Sequence, residues 1–451
     1  MSPTTQLSAL PQSAALRSFA AQWKSRDLDS LAPLRQEAMQ RFLKLGLPTL
    51  RDETWRYTDL RSLAARSFVD APRSLAVVPP SADRGSAPDA PLALLDDSLR
   101  AATLHMVNGH PTVPPVGQVD GVEIRSLREV ARLDPATLLR FLEPLSDADQ
   151  QRFGLLNTAL FVDGLYLKIT GQVPAPLVIL HVASGAGDDN IAYPRVIIEA
   201  APGSSATIIE HHVTQGAHTP LIDSSTHLAL RQGAQLEHYR VYSTGAAATH
   251  VDSLNIHQDR DSRCKQFTVV LGGGLVRTSL EAQLLEPGAS LDSNSLLVGH
   301  AHRHVDCVNI VTHGAPDTRS NQTARAIAGD SSRVIFNSKV IVNAGAVHAQ
   351  SQQSCRGLLL SPTAQIDTRP QLEIHADEVK CAHGATTGRL DPDMLFYMLS
   401  RGLDRDTAQS LLVYAFLADV LTGMSVAPTR AAVENALIAQ LPDSQTLRKF
   451  R

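Results

Sequence analysis

Several features that would assign this chain of 451 residues to a common functional class are scarce in it or missing. Aromatic residues make up only 4%, which disfavours stacking platforms for sugars or single-stranded nucleic acid. The net charge is −4 and no basic run occurs, so we expect no nucleic-acid partner. No stretch approaches the roughly 20 apolar residues that cross a bilayer, and the N-terminus lacks a secretory signal pattern. These absences predict a cytoplasmic protein without a membrane partner.

Cysteine is also scarce, and its spacing excludes familiar metal and redox motifs. No CxxC pair exists, which excludes a zinc ribbon and a thioredoxin-type motif. So few thiols in so long a chain fit a reducing compartment better than a disulfide framework. The four cysteines are Cys264, Cys307, Cys355 and Cys381.

Signatures of nucleotide hydrolysis and of common hydrolases are missing as well. The glycine-rich stretch "LGGGLVRTS" (271–279) has no lysine after its last glycine and no helical pattern behind it. A phosphate-binding loop requires both, so this stretch predicts a tight turn between strands. Neither a GxSxG elbow nor an HExxH helix occurs, which leaves a serine hydrolase or a zinc protease without support.

The residue patterns divide the chain into four segments. Residues 1–70 carry apolar residues at three- and four-residue spacing and predict a helical domain. Residues 71–154 form a linker and mixed segment, which is rich in proline, serine and alanine over 71–91. Residues 155–390 are predicted to be β, and residues 391–451 to be helical, with Asp391 as N-cap and Pro392 in the first helical position.

The β segment repeats one local pattern at a spacing of tens of residues that is not fixed. A turn of small residues precedes a short β-branched strand, and no helix-length pattern interrupts the series. Repeated turn–strand units predict a β-helix in preference to a sandwich, for which the segment is too long. The units are "PGSSATII", "QGAQLEHY", "PGASLDSN", "GDSSRVIF" and "SPTAQIDT". The helices at both termini would cover an open solenoid end or dock a partner.

Histidines occur in two groups that suggest metal ligands. In "GHAHRHVDC", a strand would place His300, His302 and His304 on one face. The three span roughly 13 Å along such a strand, so only two would reach one ion, and a solvated stripe on a turn or on an outer solenoid face is the favoured alternative. The other group comprises His211, His212, His218, Asp306 and His313. Scattered histidines in strands are more often core or surface residues than ligands.

The stretch "VKCAHGATTG" (379–388) sets a thiol and an imidazole two residues apart. If the chain is extended there, Cys381 and His383 point the same way. The pair would serve as a nucleophile with its base, as half of a metal or iron site, or as a purely structural strand end. Spacing alone favours the structural interpretation, a buried thiol beside a hydrogen-bonded imidazole.

Longer motifs around this stretch resemble the SufB/SufD family of the SUF iron–sulfur cluster assembly machinery. The "CAHG" form is the SufD-type pattern, where SufB-type chains usually read "HEATTS". The resemblance is strongest over residues 312–421. It is carried by "RPQLEIHADEVKCAHGATTGRLDPDMLFYMLSRGL", "LLVYAF", "HGAPDTRSNQTARAIAGDSSRVIFNSKVIV", "LLLSPTAQIDTRPQLEI" and "PTLRDETWRYTDLRSL".

The resemblance implies a fold and a set of partners. The fold is a right-handed parallel β-helix flanked by N-terminal and C-terminal helical domains. The partners are a SufB-like paralogue and two copies of a SufC-like ABC ATPase, with a nascent cluster or iron bound transiently at the junction of the paralogues. There the paralogue would supply a thiol and this chain His383, with Cys381 the weaker candidate. No cofactor would be held stably by this chain alone, and whether a flavin binds the complex stays open.

The same resemblance assigns ATPase docking to the helices after Asp391 and makes the chain a scaffold rather than an enzyme. The docking candidates are Phe396, Tyr397, Leu411, Leu412 and Phe416. Two alternatives remain, a SufB-type principal cluster scaffold and a β-helix carbohydrate-active enzyme, although the chain offers no clear pair of catalytic carboxylates for the latter. The oligomeric state of the isolated chain stays open, and one alternative is a homodimer formed through the solenoid flank.

Overall fold

The computed structural model describes residues 13–26, 30–73, 103–112, 120–142, 151–185, 189–216 and 218–441. Within them the protein is mainly β, a parallel solenoid of about seven turns with helices at both termini. This confirms the predicted fold class. Most of the proline-rich linker predicted over residues 71–91 lies outside the described residues.

The terminal helices form where the apolar periodicity predicts them, but Leu127–Leu133 and Pro135–Leu142 lie in the segment interpreted as linker and mixed, and Arg152–Leu160 overlaps the start of the predicted β segment, which is therefore set too early. Asp391 caps the first helix after the solenoid by accepting a hydrogen bond from the Asp393 N–H, and Pro392 opens that helix, as predicted. The described helices are α1 Ala14–Lys24, α2 Ala32–Leu45, α3 Arg61–Ala64, α4 Leu127–Leu133, α5 Pro135–Leu142, α6 Arg152–Leu160, α7 Pro392–Ser400, α8 Arg405–Thr422 and α9 Ala427–Ile438. None of these described helices is both long and apolar enough to cross a membrane.

Each predicted turn–strand unit forms a turn followed by a strand. The described strands are β1 Val69–Asp70, β2 Thr103–Val107, β3 His110–Pro111, β4 Val122–Ser126, β5 Leu165–Ile169, β6 Leu177–Ser184, β7 Asn190–Ala192, β8 Arg195–Ala200, β9 Ser205–Gln215, β10 Leu221–Leu230, β11 Gln235–Ser243, β12 Thr249–Gln258, β13 Arg263–Val270, β14 Leu275–Leu284, β15 Ser290–Gly299, β16 His304–His313, β17 Arg319–Ala328, β18 Arg333–Val342, β19 Gln350–Leu359, β20 Gln365–Ile374 and β21 Lys380–Arg389.

Two sheets run along the solenoid, and alternate strands of the chain enter alternate sheets. Sheet A has the order β20-β18-β16-β14-β12-β10-β8-β5-β4, and sheet B the order β21-β19-β17-β15-β13-β11-β9-β6-β2-β3. In sheet A, all strand pairs from β5 to β20 are parallel. In sheet B, all strand pairs from β2, through β6, to β21 are parallel. The turns differ in length, since Thr249 pairs with Leu275, 26 residues on, and Arg333 with Gln365, 32 residues on.

The glycine-rich stretch 271–279 forms the predicted turn, between β13 and β14. Its glycines lie directly against the preceding turn of the solenoid. A Cβ on Gly274 would lie 2.3 Å from the Ala246 carbonyl oxygen, and one on Gly272 would lie 2.3 Å from that of Thr244. Glycine is therefore required here for close approach of two backbones, which is a structural role.

Side chains alternate between the solenoid interior and two helical layers. On sheet A, Leu167 and Ile198 point into the interior, whereas Tyr166 and Ile197 pack against the N-terminal helices. On sheet B, outward residues of β11 and β13 pack against α8 and α9, as when Phe267 joins the cluster of Leu417 and Val420. The helices thus cover the broad faces of the solenoid.

Candidate functional site

The last turn of the solenoid, formed by β20 and β21, is the part of the solenoid left uncovered. Every residue of β21 is exposed except Cys381, which is half-buried, whereas β16 and β18 are largely buried. Strand β21 pairs with β19 and β20 pairs with β18. Among the described residues no strand pairs with the opposite edges of β20 and β21. Within the described residues the C-terminal helices pack on sheet B and leave β21 exposed, so of the two roles suggested for them they do not fill that of covering this end.

Cys381 and His383 lie on this terminal strand. Strand β21 is extended over both residues, so their side chains share one face. Cys381 packs against the interior apolar cluster of the solenoid. His383, two residues on, is exposed and borders an open groove.

The groove beside His383 has a volume of about 520 Å³, and charged and polar side chains line it together with apolar ones such as Val308 and Ile310. Two ion pairs cross it, Lys339 Nζ to Glu373 Oε2 at 2.6 Å and Arg369 Nη2 to Glu53 Oε1 at 2.6 Å. Because these pairs are partly exposed, each contributes little to stability, on the order of 1 kcal/mol or less. The groove thus offers His383 a solvated, charged environment open to an incoming partner.

The "RDETWRYTDL" stretch forms one wall of the groove and explains why that motif is so specific. The Trp55 ring lies 3.8 Å below the Arg277 guanidinium, a cation–π contact. Thr58 donates a hydrogen bond of 2.5 Å to Asp306, a buried carboxylate that also pairs with Arg277. These contacts fix the stretch across the outer face of sheet A, with Glu53 at the groove.

A column of polar side chains runs through the solenoid interior and ends at His383. Its members occupy the same register position on successive turns of sheet B, namely His238, Gln266, Ser293, Gln322, Gln353 and His383. Ser293 donates to Gln266 Oε1 at 3.2 Å, and Gln353 donates to the Gln371 carbonyl at 3.2 Å. His383 is thus the solvent-facing end of an internal polar path, a placement that its motif alone does not show.

The first histidine group does not form the stripe that a strand would give. His300 and His302 lie in the turn between β15 and β16, and His304 begins β16. His300 Nδ1 pairs with Asp330 Oδ2 at 2.8 Å, and His304 Nε2 lies 2.9 Å from Thr58 Oγ1. The conditional strand geometry therefore does not hold, because a tight turn connects the two sheets there, and the favoured placement on a turn agrees with the positions of His300 and His302.

The second group contains a cluster that sequence reasoning missed. His212 lies beside His181 and Glu210 in the interior, while His211 points to the other face of β9. His313 is buried between Thr318 and Ser320 hydroxyls, at 2.8 Å from each. The sequence carries no signal for the pairing of His181 with His212, because turn length varies between 26 and 32 residues.

Comparison with known proteins decides the family. The family described as "SUF system FeS cluster assembly, SufBD core domain" matches residues 181–416, slightly more than half of the chain. The chain belongs to the SufBD family. Its role therefore lies in iron–sulfur cluster assembly.

The relatives in the SufBD family include proteins named SufD. The chain is 30% identical to iron–sulfur cluster assembly protein SufD of Escherichia coli over 86% of its own length and 88% of that protein. It is 28% identical to a SufBD family protein of Synechocystis, with 87% of each chain covered. It is 24% identical to SufD of Bacillus subtilis over 63% of its length and 66% of that protein.

The predicted docking residues of this SufBD chain separate into two environments. Phe396 and Tyr397 on α7 are 72% and 57% exposed. Leu411 and Phe416 on α8 pack, partly buried, against the cluster that joins α8 to sheet B. The exposed apolar surface therefore lies on α7, whereas much of the predicted α8 stripe already contacts the chain's own solenoid.

The thiols show none of the activation that a nucleophile requires. All four cysteines are free thiols. Burial raises the pKa of Cys264 and of Cys355 to about 12. Partial burial raises the pKa of the Cys381 thiol as well, although a backbone hydrogen bond from Ser351 opposes the shift. Cys381 is therefore protonated at neutral pH and is not poised to attack a substrate.

We predict slow alkylation of Cys381 by iodoacetamide at pH 7 in the folded chain. The rate should rise about tenfold per pH unit and continue to rise beyond pH 9, because only the thiolate reacts. Mass spectrometry of each cysteine peptide measures this, with Cys264 and Cys355 as buried, unreactive controls. Fast alkylation of Cys381 that does not change between pH 6 and pH 7 would contradict the raised pKa.

Proposed function

We propose that this chain is a non-catalytic scaffold subunit that joins a SufB-like paralogue at its open solenoid end. The observation that carries the proposal is the exposed terminal turn β20–β21, with His383 beside the groove. Nascent cluster or iron is bound there as cargo, shared between the two chains. The similarity to proteins named SufD supports the assignment to this subunit type.

Main-chain geometry at β21 supports pairing with another strand. The Lys380 N–H donates to the Ala349 carbonyl at 2.9 Å. In a parallel sheet the main-chain groups of successive residues point alternately to the two neighbouring strands. Because the Lys380 N–H points to β19, the N–H groups of Cys381, His383 and Ala385 point away from it. An uncovered edge of this kind accepts a strand from a partner, and a partner built from the same kind of turn would extend the solenoid.

The ligand arrangement supports a site completed by a second chain. His383 presents an imidazole at the exposed end, and Cys381 presents a protonated thiol on the same face. An iron–sulfur cluster requires several thiolate or imidazole ligands, more than this strand offers. A thiol from the paralogue would complete the site.

The surface of α7 supports docking of a SufC-like ABC ATPase. Met394, Phe396 and Tyr397 expose 59%, 72% and 57% of their surface on this helix. The chain's only glycine-rich candidate for a phosphate loop is a solenoid turn, so ATP hydrolysis would come from the partner. Closure of the ATPase would act on the scaffold through α7 and α8, favouring the conformation in which the junction at His383 is open.

Replacing His383 by alanine should leave the assembled complex intact and lower cluster formation at least tenfold, because one ligand is lost. Cluster formation is measured by visible absorption of the co-expressed, purified complex under anaerobic reconstitution. His375→Ala is the matched control, since His375 is also an exposed imidazole near the end of β20, paired with Glu373 at 3.0 Å. Normal assembly together with normal cluster formation would refute the ligand role, and so would loss of assembly alone.

The double variant Phe396→Ser, Tyr397→Ser should reduce co-purification of the ATPase at least tenfold, because two exposed aromatic anchors are removed. Pull-down from cells expressing all three subunits, with subunit ratios from mass spectrometry, measures the effect. Leu139→Ser on α5 is the control, because Leu139 is an exposed apolar residue, 41% accessible, on the other helical layer. Wild-type ATPase recovery with the double variant would place the docking surface elsewhere.

A further inference from the structure

A second group of metal-ligating side chains lies inside the first turns of the solenoid. His181 on β6 and Glu210 and His212 on β9 place three ligand atoms within 4.8 Å of one another. All three side chains are buried, with exposures of 4%, 0% and 2%. Within the described ranges this is the one group of three histidine, cysteine or acidic side chains with such geometry.

Strand register creates the group. His181 pairs directly with His212 across β6 and β9, and their rings stack with centroids 4.3 Å apart. Glu210 precedes His212 by two residues and shares its face. His181 Nε2 lies 3.0 Å from Glu210 Oε2. The three side chains thus converge from two adjacent strands on one interior point.

Glu210 is held as a carboxylate. His238 Nε2 lies 2.8 Å from Glu210 Oε1, and the Thr226 hydroxyl donates to the same oxygen at 3.0 Å. Burial opposes the charge, but the hydrogen bonds from His181 and His238 hold the pKa of Glu210 well below its usual range. His238 and Thr226 also orient the carboxylate, as outer partners of metal ligands commonly do.

His212 contributes a neutral imidazole with a free nitrogen. Burial and the neighbouring His181 hold the pKa of His212 well below its usual value. Among the described residues, nothing hydrogen-bonds to His212 Nε2, although that atom is buried. An unsatisfied buried polar atom costs about 1–3 kcal/mol, and coordination to a cation would remove that cost.

A small, mainly apolar void lies beside the two histidines, although Glu210 does not line it. The void has a volume of about 10 Å³, close to the volume that one water molecule occupies. A surface pocket of about 80 Å³ lies next to it, and the two share Asn108, Gly109 and Ala192 as walls. The void and the surface pocket are therefore neighbours, and the pocket is the nearest opening to solvent on that side.

We propose that His181, Glu210 and His212 bind a divalent first-row transition-metal ion inside the solenoid. Two imidazoles and one carboxylate form a donor set that iron(II), zinc and manganese accept. Three donors about 2.1 Å from a shared ion lie roughly 3.0–3.6 Å apart, so the ligand atoms, now within 4.8 Å of one another, would have to close by roughly 1–2 Å to complete the site. On binding, the proton on His181 Nε2 would move to Nδ1 by a change of tautomer, and the freed lone pair of Nε2 would bind the metal in place of the hydrogen bond to Glu210.

This site is separate from the junction at His383. Six strand-to-strand steps of sheet B lie between β9 and β21, about 29 Å at about 4.8 Å per step. The metal would be held by this chain alone, which goes beyond the expectation that the chain holds no cofactor stably by itself. The two proposals therefore succeed or fail independently.

The test is titration of the purified full-length chain, stripped with a chelator, with Co²⁺ under anaerobic conditions. Visible absorption and metal analysis after gel filtration report binding, and one equivalent per chain is expected. Glu210→Gln and His212→Asn should each weaken Co²⁺ binding at least tenfold. His211→Asn should not, because His211 is equally buried on the same strand but faces the other side. His383→Ala should also leave this equivalent in place.

Two results would overturn the proposal. One is that the chelator-stripped wild-type chain retains no added Co²⁺ after gel filtration, which would mean that the three side chains form only a hydrogen-bonded network. The other is retention of wild-type affinity by both Glu210→Gln and His212→Asn. If a variant fails to fold, X-ray absorption of the Co²⁺-loaded wild-type chain decides, because the site predicts two imidazole ligands and a light-atom oxygen donor without sulfur.

Discussion

Hydrogen bonding between each turn of the solenoid and the next, in a constant parallel register, is the constraint on which the rest of the structure depends. Because no strand slips by a residue, a position that faces inward on one turn faces inward on the following turns. Interior side chains therefore stack into columns that reach from β9 to β21. Both functional proposals rest on such columns, one at a solvent-exposed end and one deep in the interior.

The series of hydrogen-bonded turns also has to end at a last turn. Sheet A is covered by the N-terminal helices and sheet B by α8 and α9, yet β20 and β21 have no following turn among the described residues. The same ladder that buries β16 on both faces leaves β21 exposed along its length. A chain built in this way favours a partner of similar architecture, since another turn satisfies both the main-chain groups and the interior column.

The sequence predicts the elements of this fold better than the contacts between them. Apolar periodicity predicted the first two helices, and the turn–strand units predicted where strands begin, because both patterns are local. Contacts between turns depend on register across loops of unequal length. That is why His181, Glu210 and His212 were not grouped from sequence, whereas the favoured placement of His300 and His302 on a turn, which is a local feature, agrees with the structure. His383 was selected through family resemblance, and its position at the end of a polar column could not be read from the spacing of "CAHG".

The central claim is that the free edge of β21 is where a paralogue pairs with this chain, and amide hydrogen exchange tests it most directly. Exchange over residues 380–389 should be compared between the monomeric chain and its complex with a SufB-like paralogue. The account predicts that the amides of Cys381, His383 and Ala385 exchange rapidly in the monomer and at least tenfold more slowly in the complex, because they point away from β19. Unchanged exchange at these amides, with protection appearing on another surface, would contradict it.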